Sequence, residues 1–351
     1  MTGPSGPVRL GLLGCGGISE RHGNAAASTP AVAIVACCDV RLELARNWAG
    51  RYGCERAYSD YRTMIEEHDL EGVLVATWPS QHREHVLGCL EAGATSILCE
   101  KALALDAKEA LEIWEAAGEA QALVVEGYMY RHHPAIRRLD ELLDAGEIGP
   151  VDSISAAFSL LDLQESAPDD PERDWRQQHD LGGGVPFDLA CYCVDACNRF
   201  AAAAPRQALG LAGTSARYGT IDRLFGLIEY ADGVVGVVES SKRSDFDHEL
   251  RISGASGHVV LPVAWRIEGP IEVLVRRSVG WGELETTAFP VAAENPFRLQ
   301  LESFAAAVRG EGPPIPTLAE SVVTAATMDA LLASAADGVA APVRVPEAIR
   351  L

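Results

Sequence analysis

The stretch Gly11-Leu12-Leu13-Gly14-Cys15-Gly16-Gly17-Ile18-Ser19 decides the fold of the first third of the chain. It follows a short apolar run, Val8 to Leu13, and opens a segment that can be helical. Glycine at 14 permits a tight strand-to-helix turn. Glycine at 16 lets a backbone approach a pyrophosphate, and small Ser19 stands where a third small residue lets helix and strand pack closely. The N–H groups that open a helix are unpaired and point at such an anion. Gly14, Gly16, Gly17 and Ile18 are therefore candidate dinucleotide contacts. A plain tight turn has the same composition, so the reading rests on what lies downstream.

Glu20 to Ser28 suits a helix, and Ala31 to Asp39 is a buried strand that ends in an acid, 20 residues beyond Ser19. A carboxylate at that place accepts hydrogen bonds from the adenosine ribose, which favours NAD because a 2′-phosphate there meets a like charge. Asp39 is equally placed to cap the helix Arg41 to Tyr52, and the Arg41 guanidinium keeps NADP open. Farther on, Gly72 to Ala76, Thr95 to Cys99 and Leu123 to Glu126 read as strands, with helices at Tyr61 to Glu67, up to Glu91, and at Asp106 to Ala120. Thr77, Trp78 and His82 follow one strand and Glu100-Lys101 follows the next, at the strand ends where parallel sheets bind ligands. His82 fits the first turn of a helix as well as a cofactor contact. Strictly alternating strands and helices predict an α/β domain built on a doubly wound parallel sheet, a Rossmann fold, over residues 1–126.

From Val151 the pattern changes to closely spaced strands at Val151 to Phe158, Leu224 to Tyr230, Val234 to Ser240, Glu249 to Ser253 and His258 to Leu261. Residues 127–351 are thus expected to form an α+β domain around a largely antiparallel, open-faced sheet, with helices at Pro296 to Arg309 and Leu318 to Ala336. An open sheet face suits pairing between subunits, so a homodimer or homotetramer is expected. Pro186 after three glycines suits a helix start, and Asp188 and Tyr192, four apart, would share one face.

The chain of 351 residues is long enough for two domains. A formal net charge of −21 without clustered Lys and Arg argues against a nucleic-acid surface. No apolar stretch is expected to reach the ~20 residues of a membrane span, and no secretory leader is recognisable, so the expected location is the cytoplasm. Nine cysteines are scattered through apolar runs and are expected as reduced, buried thiols. Cys191-x-Cys193-x-x-x-Cys197 lacks a second ligand pair at zinc spacing, and no metal is expected.

Gly14-x-Gly16-x-x-Ser19, Asp39, Thr77 with His82, Glu100-Lys101, Tyr128 to Pro134, Gly146 to Gly149, and Gly182-Gly183-Gly184 followed by Asp188 and Tyr192 together resemble the Gfo/Idh/MocA family of glucose-fructose oxidoreductases and inositol dehydrogenases. Tyr130 to Pro134, the segment from the glycines to Cys193, and Asn295 to Leu301 are most similar to the branch containing D-xylose dehydrogenases and dimeric dihydrodiol dehydrogenases. The resemblance implies that Lys101 belongs to a Glu-Lys-Pro motif beside the nicotinamide, although Ala102 stands at the proline position, and that Asp188 and Tyr192 are catalytic. Trp78-Pro79 likewise departs from the Pro-Asn of many relatives. Arg131, His132, Trp175, Arg176 and His179 are substrate-pocket candidates, expected from the second domain.

The activity so implied is hydride transfer between a nicotinamide and a carbinol or keto carbon of a sugar, sugar derivative or polyol. Tyr192 would be the acid/base, its ordinary pKa near ~10 lowered by a charged Lys101 nearby. Asp188 would accept a second substrate hydroxyl. Three other activities fit the same motifs: reduction of a nucleotide-activated keto-sugar, glycosidic elimination through transient oxidation by a resident NAD, and non-catalytic sensing of NAD.

Overall fold

The computed structural model describes residues 6–161, 174–245 and 247–349. They divide into two compact units: one runs to His132 and includes Asn295–Leu318, the other comprises His133–Glu294 and the chain from Ala319. The division thus falls six residues beyond the expected 126. Residues 295–318, expected in the second domain, join the first unit, because Leu301, Phe304 and Ala305 of a late helix share one apolar core with Leu10, Leu12, Leu74, Leu98 and Val125.

In the first unit, β1 (Val8–Leu13), α1 (Gly17–Ala26), β2 (Val32–Cys38), α2 (Leu42–Tyr52), β3 (Arg56–Tyr58), α3 (Tyr61–Glu67), β4 (Gly72–Val75), α4 (Pro79–Glu91), β5 (Ser96–Glu100), α5 (Ala107–Glu119) and β6 (Leu123–Gly127) alternate without interruption. All neighbouring strands run parallel in the order β3-β2-β1-β4-β5-β6. Helices cover both faces of such a sheet, which is why β4 and β5 are buried throughout. Local chemistry marks the helix ends: Asp60 caps α3, Asp106 caps α5, Pro79 opens α4, and Gly53 closes α2 at φ +75°. The strand order reverses between β1 and β4, so a crevice opens there at the carboxyl ends of the strands.

The second unit holds α6 (Pro134–Asp144), β7 (Val151–Ser159), α7 (Cys191–Ala201), β8 (Pro205–Thr214), β9 (Ile221–Tyr230), β10 (Val235–Ser241), β11 (Leu250–Gly254), β12 (Gly257–Leu261), β13 (Ile271–Gly280) and β14 (Glu283–Val291). After α8 (Pro296–Val308), which returns to the first unit, come α9 (Leu318–Asp337) and β15 (Ala341–Pro342). The nine strands form one sheet, β14-β13-β12-β11-β7-β10-β9-β8-β15, antiparallel except between β7 and β10. Side chains alternate across it: Leu224, Ile228 and Tyr230 of β9 are buried, whereas Phe225 and Leu227 are exposed. Those two lie opposite exposed Leu211 and Leu209 of β8, giving the sheet an apolar outer face.

Two expectations are corrected here. Helix α9 is long and apolar enough, by length and composition, to cross a membrane. Its Val322, Val323 and Leu331 are buried, and Ser334 Oγ accepts a hydrogen bond from Gly210 N at 2.9 Å, so it is a core helix of this unit. Second, Asp188 lies in a π-helical turn, Pro186–Ala190, that runs into α7. The cysteines are all free thiols, eight buried and Cys54 half-buried. Those of α7 donate separately to the carbonyls of Phe187, Glu239 and Ile154.

Candidate active site

The glycine turn is built as a cradle. Gly14 has φ +97°, and a Cβ on it would lie 2.7 Å from the Ala76 carbonyl oxygen, so only glycine fits between β1 and the end of β4. A Cβ on Gly16 or Gly17 would meet nothing within 4 Å. Gly16 caps α1 without a side-chain acceptor, leaving the first N–H groups of the helix for an anion. Ser19 is buried and its hydroxyl donates to Gly16 O, while Ile18 packs against the core below.

Asp39 locks this turn to the end of β2. One carboxylate oxygen accepts from Cys15 N at 3.0 Å and the other from Arg41 N at 2.9 Å. A carboxylate has about four acceptor sites, so capacity for a ribose hydroxyl remains. Arg41 lies largely exposed, its Nε 3.9 Å from Asp39. A glycine-lined opening at a helix start, with an acid at the neighbouring strand end, fits the diphosphate and ribose of a dinucleotide.

The segment carrying Lys101 is held on both sides. Glu100 is buried at the end of β5 and meets His22 Nε2 of α1 at 2.6 Å. The Ala102 carbonyl lies 2.7 Å from His82 Nδ1, and Leu103 N donates to Glu126 Oε1 at 2.8 Å. The Lys101–Ala102 peptide is cis, and Lys101 itself is half-buried. His82 has no exposed surface, and its second ring nitrogen lies 3.1 Å from the Thr77 carbonyl. Burial pushes its pKa down. The expected cofactor contact by His82 is therefore corrected: the buried ring lies between the Ala102 and Thr77 carbonyls, one of which accepts from the single N–H of the neutral imidazole, and it ties the β4–α4 loop to the Lys101 segment. Thr77 is likewise engaged, its hydroxyl lying 2.9 Å from His85 Nδ1, while Trp78 keeps 40% of its surface exposed at the start of α4. Arg131 and His132 are buried in the first unit, on the 3-10 turn Met129–His132. They do not come from the second unit as the sequence suggested.

In the second unit the glycine run shapes a loop. Gly182 has φ +81° and ends the short turn His179–Leu181. A Cβ on Gly183 would lie 2.5 Å from the carbonyl oxygens of Trp175 and Gln178. This close approach is of the chain to itself. It brings Arg176 Nε to 3.2 Å from Asp188 Oδ1, with the guanidinium also over the Trp175 ring. On the other oxygen, Lys242 Nζ approaches Asp188 Oδ2 at 3.4 Å. Asp188 and Asp174 push the Arg176 pKa further up, against the lowering effect of burial. Tyr192 is 5% exposed, and its ring stands edge-on to Phe158 at 5.4 Å and tilted against Trp265 at 6.0 Å. Trp265 is itself fixed by donating to Ala157 O. His179 is on the surface, paired with Asp180, away from this cluster's hydrogen bonds.

Sequence reasoning missed Lys242, which lies just beyond β10 and 54 residues from Asp188. The available signal was its place just past the strand read over Val234 to Ser240, the same kind of position at which Lys101 stands after β5.

Residues 8–128 match the model of the oxidoreductase family with an NAD-binding Rossmann fold, and residues 136–260 match the C-terminal domain of the same Gfo/Idh/MocA family. The chain belongs to the Gfo/Idh/MocA family. Among relatives of this family member, a D-xylose 1-dehydrogenase (NADP+) from Haloferax volcanii is 28% identical over 95% of this chain and 99% of that one. The trans-1,2-dihydrobenzene-1,2-diol dehydrogenase of Mus musculus is 28% identical over 76% and 78%. Two solved structures share the fold. A 3-ketoreductase from Actinomadura kijaniata with NADP and TDP-benzene has a TM-score of 0.83 at 24% identity, covering 93% of this chain and 98% of its own. A levoglucosan dehydrogenase with NADH has a TM-score of 0.84 at 23% identity, covering 97% and 100%. This Gfo/Idh/MocA protein is thus an NAD(P)-dependent oxidoreductase.

Proposed function

We propose that this enzyme moves a hydride between a nicotinamide and a carbinol or keto carbon of a sugar, sugar derivative or polyol, with NAD preferred. The observation that carries this reading is the pairing, one turn apart, of a phenol fixed among aromatic rings and a carboxylate flanked by two cations: Tyr192 and Asp188. When bound, the nicotinamide supplies the hydride acceptor or donor. Tyr192 exchanges the proton of the reacting hydroxyl through its phenol oxygen. Asp188, an acceptor when ionised, takes a hydrogen bond from a neighbouring substrate hydroxyl, and Arg176 offers a donor beside it. Lys101, presented after β5 by the pinned Glu100–Leu103 segment of the first unit, supplies a cation to polarise the reacting oxygen. Asp39 favours NAD, since the Arg41 guanidinium is already drawn toward its carboxylate.

A second reading shares this site and differs in substrate and direction. The chain is 31% identical, over 55% of its own length and 56% of that protein's, to a dTDP-3,4-didehydro-2,6-dideoxy-α-D-glucose 3-reductase of Actinomadura kijaniata, which supports reduction of a nucleotide-activated keto-sugar. A panel of sugars, polyols and nucleotide keto-sugars, read at the nicotinamide absorbance band with NAD and NADP in parallel, separates the two. Tyr192→Phe and Lys101→Ala are each expected to lower turnover by about 10²–10⁴-fold and leave NADH affinity unchanged. Near-normal turnover in both variants rejects the assignment.

The exposed apolar row of Leu209, Leu211, Phe225 and Leu227 supports a homodimer or homotetramer packed through the outer sheet face. Light scattering of the purified chain tests this, and a monomer at micromolar concentration rejects it. The free thiols suit a reducing compartment, and we place the enzyme in the cytoplasm.

A further inference from the structure

Asp188 has cations on both carboxylate oxygens, and the two differ in how they are held. Arg176 reaches it from the loop packed under Gly183, and 46% of the arginine side chain is exposed. Lys242 reaches it from the end of β10, with a side chain only 14% exposed. The lysine is also rooted in the sheet: its own N–H donates to Asp222 O at 2.8 Å, and Ser241 O accepts from Leu160 N at 3.0 Å. Arg176 divides its charge between Asp188 and Asp174, whose Oδ1 lies 3.4 Å from its Nη1. Among the described residues, Lys242 is paired with Asp188 alone.

A carboxylate on a single flexible partner can turn about its χ2 torsion, which is broad and roughly two-fold. A second cation on the other oxygen removes that freedom. We propose that Lys242 is a positioning residue: it holds Asp188 from the side of the sheet in the orientation where the carboxylate accepts a substrate hydroxyl, and Arg176 completes the clamp from the loop side. This rests on the sugar or polyol reading only for the identity of the hydroxyl. The clamp itself is a property of the second unit.

Two measurements keep those levels apart. In the full-length protein with 13C-labelled aspartate, the Asp188 carboxyl is followed by NMR against pH. Lys242→Met removes an opposite charge from within ~4 Å, so the titration midpoint rises, by an expected one unit or so, and Lys242→Arg restores it. A midpoint unmoved by Lys242→Met overturns the proposal whatever the enzyme's substrate. Steady-state kinetics with D-xylose and NAD or NADP then read the catalytic consequence. Lys242→Met is expected to raise KM about tenfold with a smaller change in kcat, and Lys242→Arg to recover most of the loss. Equal losses in the methionine and arginine variants overturn the positioning role. A wild-type enzyme inactive on D-xylose counts against that sugar as substrate, and the carboxyl midpoint still decides the clamp.

Discussion

The two glycine runs of this chain do opposite work. At Gly16 and Gly17 an added Cβ meets nothing within 4 Å, and the missing side chains leave space open to a ligand. At Gly183 the same added atom lies 2.5 Å from two carbonyl oxygens and 2.8 Å from a third, and the missing side chain lets the chain close on itself. Both runs precede helices, and both belong to the motifs that identify the family. The comparison shows that a glycine cluster marks a close approach and says nothing about what approaches. In the first unit the space stays open for the proposed cofactor; in the second it is filled by the Trp175–Gln178 loop, which delivers Arg176 to Asp188.

The largest expected effect follows from closing the second run. Gly183→Ala forces the loop carbonyls away, because backbone rather than a flexible side chain blocks the new methyl group. Misplacement of a positioning group by ~1 Å costs about 10²-fold in rate, so turnover should fall by at least that factor. NADH affinity, a property of the first unit, should stay within about twofold by isothermal calorimetry. If both parameters survive, the loop does not position Asp188. A smaller effect is expected at Gly14, which is tight as well as left-handed. Gly14→Ala combines positive φ with a 2.7 Å contact to Ala76 O, and should cost stability of about 1–3 kcal/mol in urea unfolding along with cofactor affinity.

How much of this was legible from the sequence follows the same division. In the first unit each strand and helix is short-range: α3 begins at its Asp60 cap, β4 is a four-residue apolar run, and the β-α alternation alone implies parallel neighbours. The glycine turn, Asp39 and the Glu100-Lys101 strand end could therefore be placed from spacing. In the second unit, β8, β13 and β14 escaped notice. Much of β14 is exposed and polar, with Glu283, Glu285 and Thr286 carrying no burial signal, and β8 is diluted by Gly210 and Gly213. The parallel pairing of β7 with β10 joins segments about 80 residues apart, and the Lys242–Asp188 pair is a consequence of that sheet. Asp188 and Tyr192 could be read together because they stand four residues apart, but Asp188 lies in a π-helical turn and Tyr192 in α7 that continues it, which residue spacing alone does not distinguish. His82 misled for a related reason: a histidine at a strand end reads as a ligand contact, and only the tertiary structure shows carbonyls on both its nitrogens.

The smallest effect gives the sharpest test of the comparison. Gly16→Ala adds a methyl group where nothing in the protein stands, and Gly16 is not among the positive-φ glycines. The folded chain should accept it, with the urea midpoint unchanged within about 0.5 kcal/mol. The same methyl group would occupy the path by which a pyrophosphate reaches the α1 N–H groups, so affinity for NADH should fall, by about tenfold or ~1.4 kcal/mol. Stability and affinity thus separate at Gly16, whereas at Gly14 they fall together. A Gly16→Ala variant that loses stability would mean that the first glycine run is packed like the second. One that keeps full NADH affinity would place the diphosphate elsewhere than on the N-terminus of α1.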